Sequence, residues 1–394
     1  MTSAVPVGWK EVDLGDASVV LDNLRVPLSG VQRVNRRGPF PYCGANGVLD
    51  HIDDYMIDDD VVLLAEDGGN FDQWRTRPIA YRMKGKIWVN NHAHVLKARK
   101  NGDTGFLFYA LEHKDITPFI SSGTRSKLTR GELIRIKVLM PEATSEQRRI
   151  SESFRDADDL IATLERLITK KQAIKQGMMQ QLLTGRTRLP GFTARWTDIA
   201  LGDIARFSKG SGLPKSALTT SGSTPCIHYG ELFTFYGPEI HTVASRTNPT
   251  GRVVISEDLD VLMPTSDVTP RGLAKASAIH ERGVVLGGDV LIIRPEPKRA
   301  YGPFLAHAIR RDADQVLQLV RGSTVYHLYA ADMRNFTLTI PPVEEQRAIA
   351  QVLRDSESEI AALRIRLDKA RAIKTGMMQQ LLTGRTRLPV EAAS

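Results

Sequence analysis

The chain has 394 residues, a formal net charge of +8 at pH 7 and two cysteines, Cys43 and Cys226. This length allows two to four domains, and 42% hydrophobic with 25% charged residues is typical of a globular chain rather than a disordered one. Two cysteines exclude a disulfide framework and a four-cysteine zinc site, and no apolar run is long enough for a transmembrane helix.

The charge indicates a type of partner, and the N-terminal sequence indicates a location in the cell. The sequence pI near 9.4 favours a nucleic-acid partner. The opening stretch MTSAVPVGWKEVDLGD has neither the basic start nor the apolar core of a signal peptide. We therefore expect a cytoplasmic protein.

Two segments rich in short strand-like runs and Gly/Pro turns each open on a Trp followed by Leu-Gly-Asp. The openings read GWKEVDLGDASVV (8–20) and RWTDIALGDIARF (195–207). Strand-like runs follow, such as DDDVVLLAEDG (58–68) and GVVLGGDVLIIRP (283–295). The two segments barely resemble each other otherwise, which predicts two mixed α/β domains with different tasks.

A nearly identical sequence follows each of these segments. Residues 173–190 read AIKQGMMQQLLTGRTRLP, and residues 372–389 differ from them only by Thr375 in place of Gln176. At a constant offset of 199, residues 146–190 match 345–389 at 27 of 45 positions. An internal duplication is therefore present.

Both copies have the apolar spacing of a long helix that forms a coiled coil. Apolar positions recur every three or four residues. They are Ile150, Phe154, Ala157, Ile161, Leu164 and Ile168 in the first copy, and Ile349, Leu353, Ser356, Ile360, Leu363, Leu367 and Ala370 in the second. Over Glu146–Leu183 such a helix would be roughly 57 Å long.

The ends of both helices are marked in the sequence. Thr144 and Gln147 have the spacing of a capping box, and Pro341-Pro342 stands where a helix begins. Gly185 and Gly384 follow the last apolar pair, as expected at helix ends. We predict domains at 1–143 and 191–340 and helical regions at 144–190 and 341–394. The predicted fold class is α+β, with two mixed α/β domains alternating with two long helices.

No catalytic constellation is evident. NPTG (248–251) lacks the second proline and the aromatic of an amino-methyltransferase loop, and no Walker A sequence occurs. EHK (112–114) has the Glu-x-Lys spacing of some nuclease metal sites, but a triplet of this kind often occurs by chance. His92 and His94 lack a third metal ligand at suitable spacing, so we predict a surface or DNA-facing role for them and no metal site in the chain.

Several polar loops suit DNA better. VNNHAHVLKARK (89–100) combines amide, imidazole and cationic groups, which can contact base edges and phosphates. GTRSKL (123–128) and GSTVYHL (322–328) are glycine-initiated turns at equivalent places, and NRRGPFPYCGANG (35–47) adds two arginines. Each could be an ordinary solvated loop, but their repetition at matching positions favours DNA binding.

The repeated helix ends suggest docking of two equivalent partners. Glycine inside a helix costs roughly 0.5–1 kcal/mol relative to alanine, so its presence in both copies needs a reason. Ordinary packing between helices is the alternative. The residues assigned to partner binding are Gly177, Met178, Met179, Leu182, Leu183, Gly376, Met377, Met378, Leu381 and Leu382.

Taken together, these features resemble the specificity (S) subunits of type I restriction-modification enzymes over essentially the whole length. The resemblance rests on GW…LGD, PYCGANG, VNNHAHVL, GST, PPVEEQRAIA (341–350) and the paired IKxGMMQQLLTGRTRL ends. It implies that each variable domain is a target recognition domain for one half of a bipartite double-stranded DNA site. The two helices would pack antiparallel and set the gap between the half-sites.

The resemblance also implies partners and cofactors outside this chain. Two methyltransferase (M) subunits using S-adenosylmethionine would dock on the constant regions, and restriction (R) subunits using ATP and Mg would join them. The chain itself would be non-catalytic and hold no cofactor. The second domain lacks the GANG and NNHAH strings, offering TPCIHYGELF (224–233) instead, so it belongs to a different recognition subtype.

The residues expected to bind DNA are drawn from both domains. They are Arg36, Arg37, Asn46, Asn90, Asn91, His92, His94, Thr124, Arg125 and Lys127 in the first domain, and Tyr229, Arg271, Ser323, Thr324, Tyr326 and His327 in the second. Two alternatives stay open at this point. One is an S-like targeting chain for a fused methyltransferase-nuclease, and the other is a coiled-coil scaffold with protein-binding domains.

Overall fold

The computed structural model describes residues 5–121 and 126–388. The chain divides into two compact units, and the division falls in the middle of both long helices. One unit joins the chain up to Glu165 to the chain from Ile365 onward, and the other covers Arg166–Arg364. The boundaries predicted from the sequence instead separate each domain from its helix. Each unit thus contains one globular domain and one half of each helix.

The first unit is built on a mixed sheet with strand order β2-β7-β5-β6-β3-β4. Its strands are β1 (Trp9–Asp13), β2 (Ser18–Val20), β3 (Arg37–Gly44), β4 (Gly47–Ile52), β5 (Ile57–Ala65), β6 (Ala80–Val89), β7 (Ala93–Ala98) and β8 (Lys137–Pro141). Its helices are α1 (Leu14–Ala17), α2 (Gly30–Asn35), α3 (Thr104–Glu112), α4 (Arg130–Leu133) and the start of α5 (Thr144–Leu182). The run Val61–Ala65 is fully buried, as expected of a central strand covered on both faces.

The second unit has a main sheet with strand order β10-β18-β14-β16-β12 and a smaller one with order β13-β11-β17. Its strands are β9 (Thr197–Ala200), β10 (Ala205–Lys209), β11 (Thr224–Ile227), β12 (Glu239–Ile240), β13 (Ser245–Thr247), β14 (Val261–Pro264), β15 (Ser266–Asp267), β16 (Ser277–Ile279), β17 (Val285–Leu286), β18 (Val290–Pro295), β19 (Tyr326–His327) and β20 (Thr337–Ile340). Its helices are α6 (Glu231–Thr234), α7 (Gly302–Arg311), α8 (Ala313–Leu319), α9 (Ala330–Met333) and the start of α10 (Val343–Leu381).

Helices α5 and α10 confirm the two long helices predicted from the sequence, and each has 39 residues. Ion pairs show that they run antiparallel within each unit. In the first unit Glu165 binds Arg371 at 2.6 Å and Asp158 binds Lys374 at 2.7 Å. In the second unit Lys171 binds Glu359 at 2.7 Å, and Lys175 binds Glu357. A later position on one helix therefore meets an earlier position on the other.

The beginning of each long helix packs on a globular domain instead of forming only a coiled-coil seam. Ile150 and Phe154 are buried with Phe106 and Tyr109 of α3. In the second unit Ile349 and Leu353 are buried in the main core with α7. The seam predicted from apolar spacing is thus divided. Its outer positions close a domain core, and inner positions such as Leu164 are buried along the helices.

The expected capping box at Thr144 is wrong, and the structure gives the glutamine another task. The side chain of Gln147 accepts from the backbone N–H of Asp103 at 3.0 Å and donates to the carbonyl of Pro141 at 2.7 Å. Gln346 makes the equivalent pair of bonds, with Tyr301 and Pro341. Each repeated glutamine therefore fastens the start of its helix to the adjoining domain. Among the described residues, no helix is long and apolar enough to span a membrane.

Candidate nucleic-acid interface

In the first domain, three predicted DNA-binding residues gather around the loop Glu66–Gly68. Strand β5 pairs with β7, and in this pairing Ala65 is opposite Ala93. The loop that follows β5 therefore lies beside the loop that precedes β7. His92 Nδ1 lies 2.6 Å from a carboxylate oxygen of Asp67. Asn46 donates to the carbonyl of Gly68 at 2.8 Å, and Lys127 Nζ lies 2.9 Å from Glu66. Side chains from four separate segments thus form one polar surface.

The exposure of these side chains leaves them free for contact with a ligand. Asn46, Asn91 and Lys127 are exposed, and His92 is half-buried. The bond to Asp67 engages His92 Nδ1, so the imidazole is oriented while Nε2 remains for another partner. Amide, imidazole and ammonium groups of this kind bind base edges and phosphates.

Two of the predicted residues, Asn90 and His94, have structural roles instead. The side-chain oxygen of Asn90 is buried and accepts from the backbone N–H of His92 at 2.8 Å. His94 is fully buried, with Nδ1 2.7 Å from Asp22 and Nε2 2.9 Å from the carbonyl of Leu128. The prediction that His94 contacts DNA is therefore wrong, because both ring nitrogens are engaged inside the domain.

The group formed by His94, Asp22 and Glu66 is an ion-pair network. Burial alone would raise the pKa of the Asp22 carboxyl, but the hydrogen bond and charge of His94 outweigh it, with help from Val95 N–H and Arg25. The net effect is a pKa below the ordinary value. Arg25 also binds Glu66 at 2.5 Å, and both ring nitrogens of His94 are engaged, so this imidazole has no nitrogen left for a metal ion.

The two predicted arginines lie elsewhere in the domain. Arg36 and Arg37 precede or begin β3, whereas Asn46 follows its end, so about 20 Å of strand separates them. Arg36 is bound to Asp53 at 2.9 Å and lies over the ring of Trp88. Thr124 and Arg125 lie outside the described residues.

In the second domain the predicted residues gather where β15 pairs with β19. Ser266 Oγ lies 3.0 Å from His327 Nδ1, and Tyr326 is opposite Asp267. Ser323 and Thr324 are exposed in the loop before β19. Polar groups therefore line this edge as they do in the first domain.

The two other candidates of the second domain have different surroundings. Arg271 is 79% exposed and lies 3.5 Å from Asp314 on α8. Tyr229 is half-buried, packs edge-on against Phe233 and lies against a hydrophobic cluster that includes Ile227. Tyr229 therefore contributes to a core, whereas Arg271 is available to a phosphate.

The two ends of segment 121–127 and the two ends of segment 321–327 are joined by the same backbone hydrogen bond. Ser121 N–H donates to the carbonyl of Lys127 at 3.0 Å, and Arg321 N–H donates to that of His327 at 2.9 Å. The next residue of each loop anchors it to the strand beside it. Leu128 N–H binds Glu66 and Leu328 N–H binds Thr265, at 2.7 and 2.9 Å. Two domains of different sequence thus hold the ends of this segment in the same way.

Sequence reasoning missed the residues that organise both surfaces. Asp67 orients His92 and Ser266 contacts His327, and neither was selected. A usable signal existed, since each residue stands two positions after the end of a buried, apolar strand. The pairing of each residue with the segment named above spans only one or two residues, so no strand-like pattern marks it in the sequence.

Most of the predicted partner-binding residues lie in the domain cores. Leu182 and Leu183 are buried in the core of the second domain, and Met178 and Met179 pack against it. In the first unit Leu381 is buried with Trp9 and Phe106, and Met377, Met378 and Leu382 pack beside them. Core packing, the alternative reading, therefore accounts for the methionines and leucines.

The two glycines inside the long helices, Gly177 and Gly376, do not face the domain cores. A Cβ added at Gly177 or Gly376 would meet nothing within 4 Å. Three residues earlier, Ile174 and Ile373 are 44% and 52% exposed. Both copies of the repeat thus expose an isoleucine and a glycine on one face while their leucines are buried.

The described residues thus contain two mixed α/β domains, each followed along the chain by a helix of 39 residues. The chain belongs to the type I restriction modification DNA specificity domain family, whose model matches residues 6–176 and 194–368. Both halves of the chain match, in agreement with the internal duplication.

Curated relatives and solved structures agree with the family. The chain is 25% identical over 367 residues to a type I restriction enzyme specificity subunit of Haemophilus influenzae, covering 88% of this chain and 86% of the relative. It is 20% identical over 420 residues to the type I restriction enzyme MjaVIII specificity subunit of Methanocaldococcus jannaschii, covering 98% and 94%.

One solved structure with the same fold is the S subunit of a type I restriction-modification system from M. genitalium. Its TM-score is 0.64 at 13% identity, with 97% of each chain covered. A chain from a structural study of complex assembly in the type I R-M system gives a TM-score of 0.52 at 15% identity, covering 98% of this chain and 100% of that one. The predicted fold class is confirmed.

Proposed function

We propose that this chain is the DNA specificity subunit of a type I restriction-modification system, with each domain reading one half of a bipartite double-stranded site. Family membership supports the general role. The observation that carries the two-site proposal is the matching closure of loops 121–127 and 321–327 in domains of otherwise different sequence. Loops at the same position with different side chains would allow the two domains to recognise two different half-sites.

The chemistry of each surface fits base reading. In the first domain Asn46, Asn91 and His92 offer hydrogen-bonding groups, and Lys127 offers positive charge. In the second domain the hydroxyl and imidazole groups are those of Ser323, Thr324, Tyr326 and His327. Phosphate contacts would fix the position of each domain on the duplex, and contacts to base edges would select the sequence.

The two helices are suited to set the gap between the half-sites. Each is continuous over 39 residues, which is roughly 58 Å. Half-sites on one face of B-DNA are separated by about 34–36 Å per helical turn. Antiparallel ion pairs such as Lys171–Glu359 hold the helices together, so their length is a fixed quantity.

Two methyltransferase subunits would dock on the exposed face of the repeats. Ile174 and Gly177 have the i, i+3 spacing of one helix face, and Ile373 and Gly376 repeat it. The open space over each glycine allows close approach of a partner backbone. S-adenosylmethionine would bind to those subunits, and ATP with Mg to restriction subunits, while this chain supplies no catalytic group.

Mapping of methylated bases tests the proposal. The chain is expressed with the methyltransferase encoded beside it in a methylation-free host, and modified bases are located by single-molecule sequencing. We expect N6-methyladenine in a bipartite motif that disappears when this chain is omitted. A soluble complex of the two proteins that leaves the genome unmodified would contradict the proposal.

A further inference from the structure

A group of three histidines and one glutamate lies in the second domain, away from the loops described above. Strands β12 and β16 are parallel, with Ile240 opposite Ile279, so the residues that follow them, His241 and His280, are neighbours. Glu239 precedes Ile240 and points to the same side as His241, since alternate residues of a strand share a face. The strand register therefore brings three potential metal ligands together.

The distances within this group are those of a compact ligand set. His280 Nε2 lies 2.7 Å from Glu239 Oε2, and His241 Nε2 lies 3.7 Å from the same oxygen. The two imidazoles are stacked with centroids 4.2 Å apart. The three ligand atoms all lie within 4.8 Å of one another. In a tetrahedral zinc site with bonds of 2.0–2.1 Å, ligand atoms are separated by roughly 3.3 Å, so small side-chain rotations suffice.

A second observation comes from His307 on α7, which packs against β16 and β14. The residue is 3% exposed, and its Nδ1 is buried without a hydrogen-bond partner. Its Nε2 faces Glu239 Oε1 across 4.0 Å, which is too long for a hydrogen bond. The space between Nε2 and the carboxylate could accommodate a metal ion, which would bind the ring through Nε2 and leave Nδ1 unpaired.

The donor atoms indicate which cation the group would accept. The set contains imidazole nitrogens and one carboxylate, and Arg354 on α10 also donates to Glu239 Oε2 at 3.0 Å. Hard cations such as Mg²⁺ need several oxygen ligands and waters. Zinc, which binds imidazole strongly, accepts a set with a single carboxylate.

We propose that Glu239, His241 and His280 form a zinc site in the second domain, with His307 as its fourth ligand. Zinc replaces the hydrogen bond between His280 and Glu239, and Arg354 remains to orient the carboxylate. The bound ion joins the edge strand β12 to β16 and α7. Its effect is to stabilise the second domain where that domain meets α10.

Zinc titration of the untagged full-length chain tests this site. Binding of ZnCl2 is measured by calorimetry after treatment with EDTA, and thermal midpoints are recorded with zinc and with magnesium. We expect one equivalent of zinc to bind and to raise the thermal midpoint, with no such rise for magnesium. Cobalt in place of zinc should give the visible absorption bands of a four-coordinate site.

Substitutions distinguish this site from other histidines. H241A and H280A should each weaken zinc affinity at least about tenfold. His241 is 53% exposed at its side chain, so its loss leaves the fold intact, as circular dichroism would verify. The matched control is H51A, an exposed histidine of the first domain, which should bind zinc as the wild type does. No saturable zinc binding by the wild type, or equal binding by H241A and the wild type, would overturn the proposal.

Discussion

Arg387 donates two hydrogen bonds to the carboxylate of Glu146, one of them at 2.5 Å, and Arg188 makes the same pair of bonds to Glu345 at 2.6 Å. Each arginine follows the end of one long helix, and each glutamate stands near the start of the other. The glutamates are almost fully buried. The repeated sequence thus has a structural cause, because each helix end fastens the other helix start within a unit.

The pair Arg387–Glu146 should show strong coupling. Arg387→Ala leaves the buried Glu146 carboxylate without its partner, so both single substitutions destabilise the first unit. In a double-mutant cycle with Glu146→Ala we expect a coupling free energy of about 1–3 kcal/mol, as for hydrogen bonds to charged groups. Denaturant unfolding followed by Trp fluorescence measures it. Additive effects of the two substitutions would show that the bidentate bond contributes nothing.

Gly177 should separate partner docking from folding. Nothing lies within 4 Å of a Cβ at this position, so Gly177→Ala should stabilise the helix by about 0.5–1 kcal/mol. Gly177→Trp should leave the thermal midpoint nearly unchanged while it weakens binding of the methyltransferase subunit in a pull-down. Wild-type binding by Gly177→Trp would place the docking surface elsewhere.

Leu183, six residues later in the same repeat, provides the contrast. It is 1% exposed in the core of the second domain. Leu183→Ala should destabilise the protein by about 2–5 kcal/mol, as for other leucines removed from cores. Thermal melts of Leu183→Ala and Gly177→Trp, recorded side by side, should show a large loss of stability for Leu183→Ala alone. Similar melts for both would contradict the assignment of core and surface faces.

Asp22 should make the stability of the first unit depend on pH. The pKa of its carboxyl is lowered in the folded state, because the His94 hydrogen bond outweighs burial. A lowered pKa means that the stabilisation is present above the unfolded value of about 3.8 and is lost as pH falls through the folded value. Asp22→Asn should therefore lower the melting temperature at pH 7, and the difference from wild type should shrink toward pH 3. A difference independent of pH would exclude the charge as its cause.

The length of the helix pair should determine the spacing of the recognised half-sites. Insertion of four residues near Leu164 and of four near Leu363 lengthens both helices by about one turn, or roughly 6 Å. We expect the unspecified gap in the methylated motif to grow by about one or two base pairs. Methylation mapping gives the gap directly. An unchanged gap in an active complex would rule out the helices as the spacer.

The order of the domains and the two long helices could be predicted from the sequence, but the surroundings of single side chains could not. The duplication and the seven-residue spacing predicted α5 and α10, and Gly185 and Gly384 have the positive φ of 67° and 66° expected after helix ends. A stripe of Met and Leu residues has the same sequence pattern whether it packs on its own domain or binds a partner. Only the structure shows that Leu183 is in a core and Gly177 is not.

The same limit applies to the candidate DNA surfaces. On β7, His94 alternates with apolar residues, and the sequence does not reveal that Asp22 and Leu128 meet it inside the domain. The role of Asp67 beside His92 depends on the pairing of β5 with β7. Contacts between residues far apart in the chain follow from sheet register, which local patterns do not specify.

Separate control of the two half-sites is the central claim, and substitution of one loop residue in each domain tests it most directly. His92→Ala and His327→Ala are each expressed with the methyltransferase, and the methylated motif is mapped by single-molecule sequencing. We predict that His92→Ala relaxes or abolishes recognition in one half-site only, and that His327→Ala does so in the other half-site only. Changes in both half-sites from either substitution, or an unaltered motif in both variants, would contradict the account.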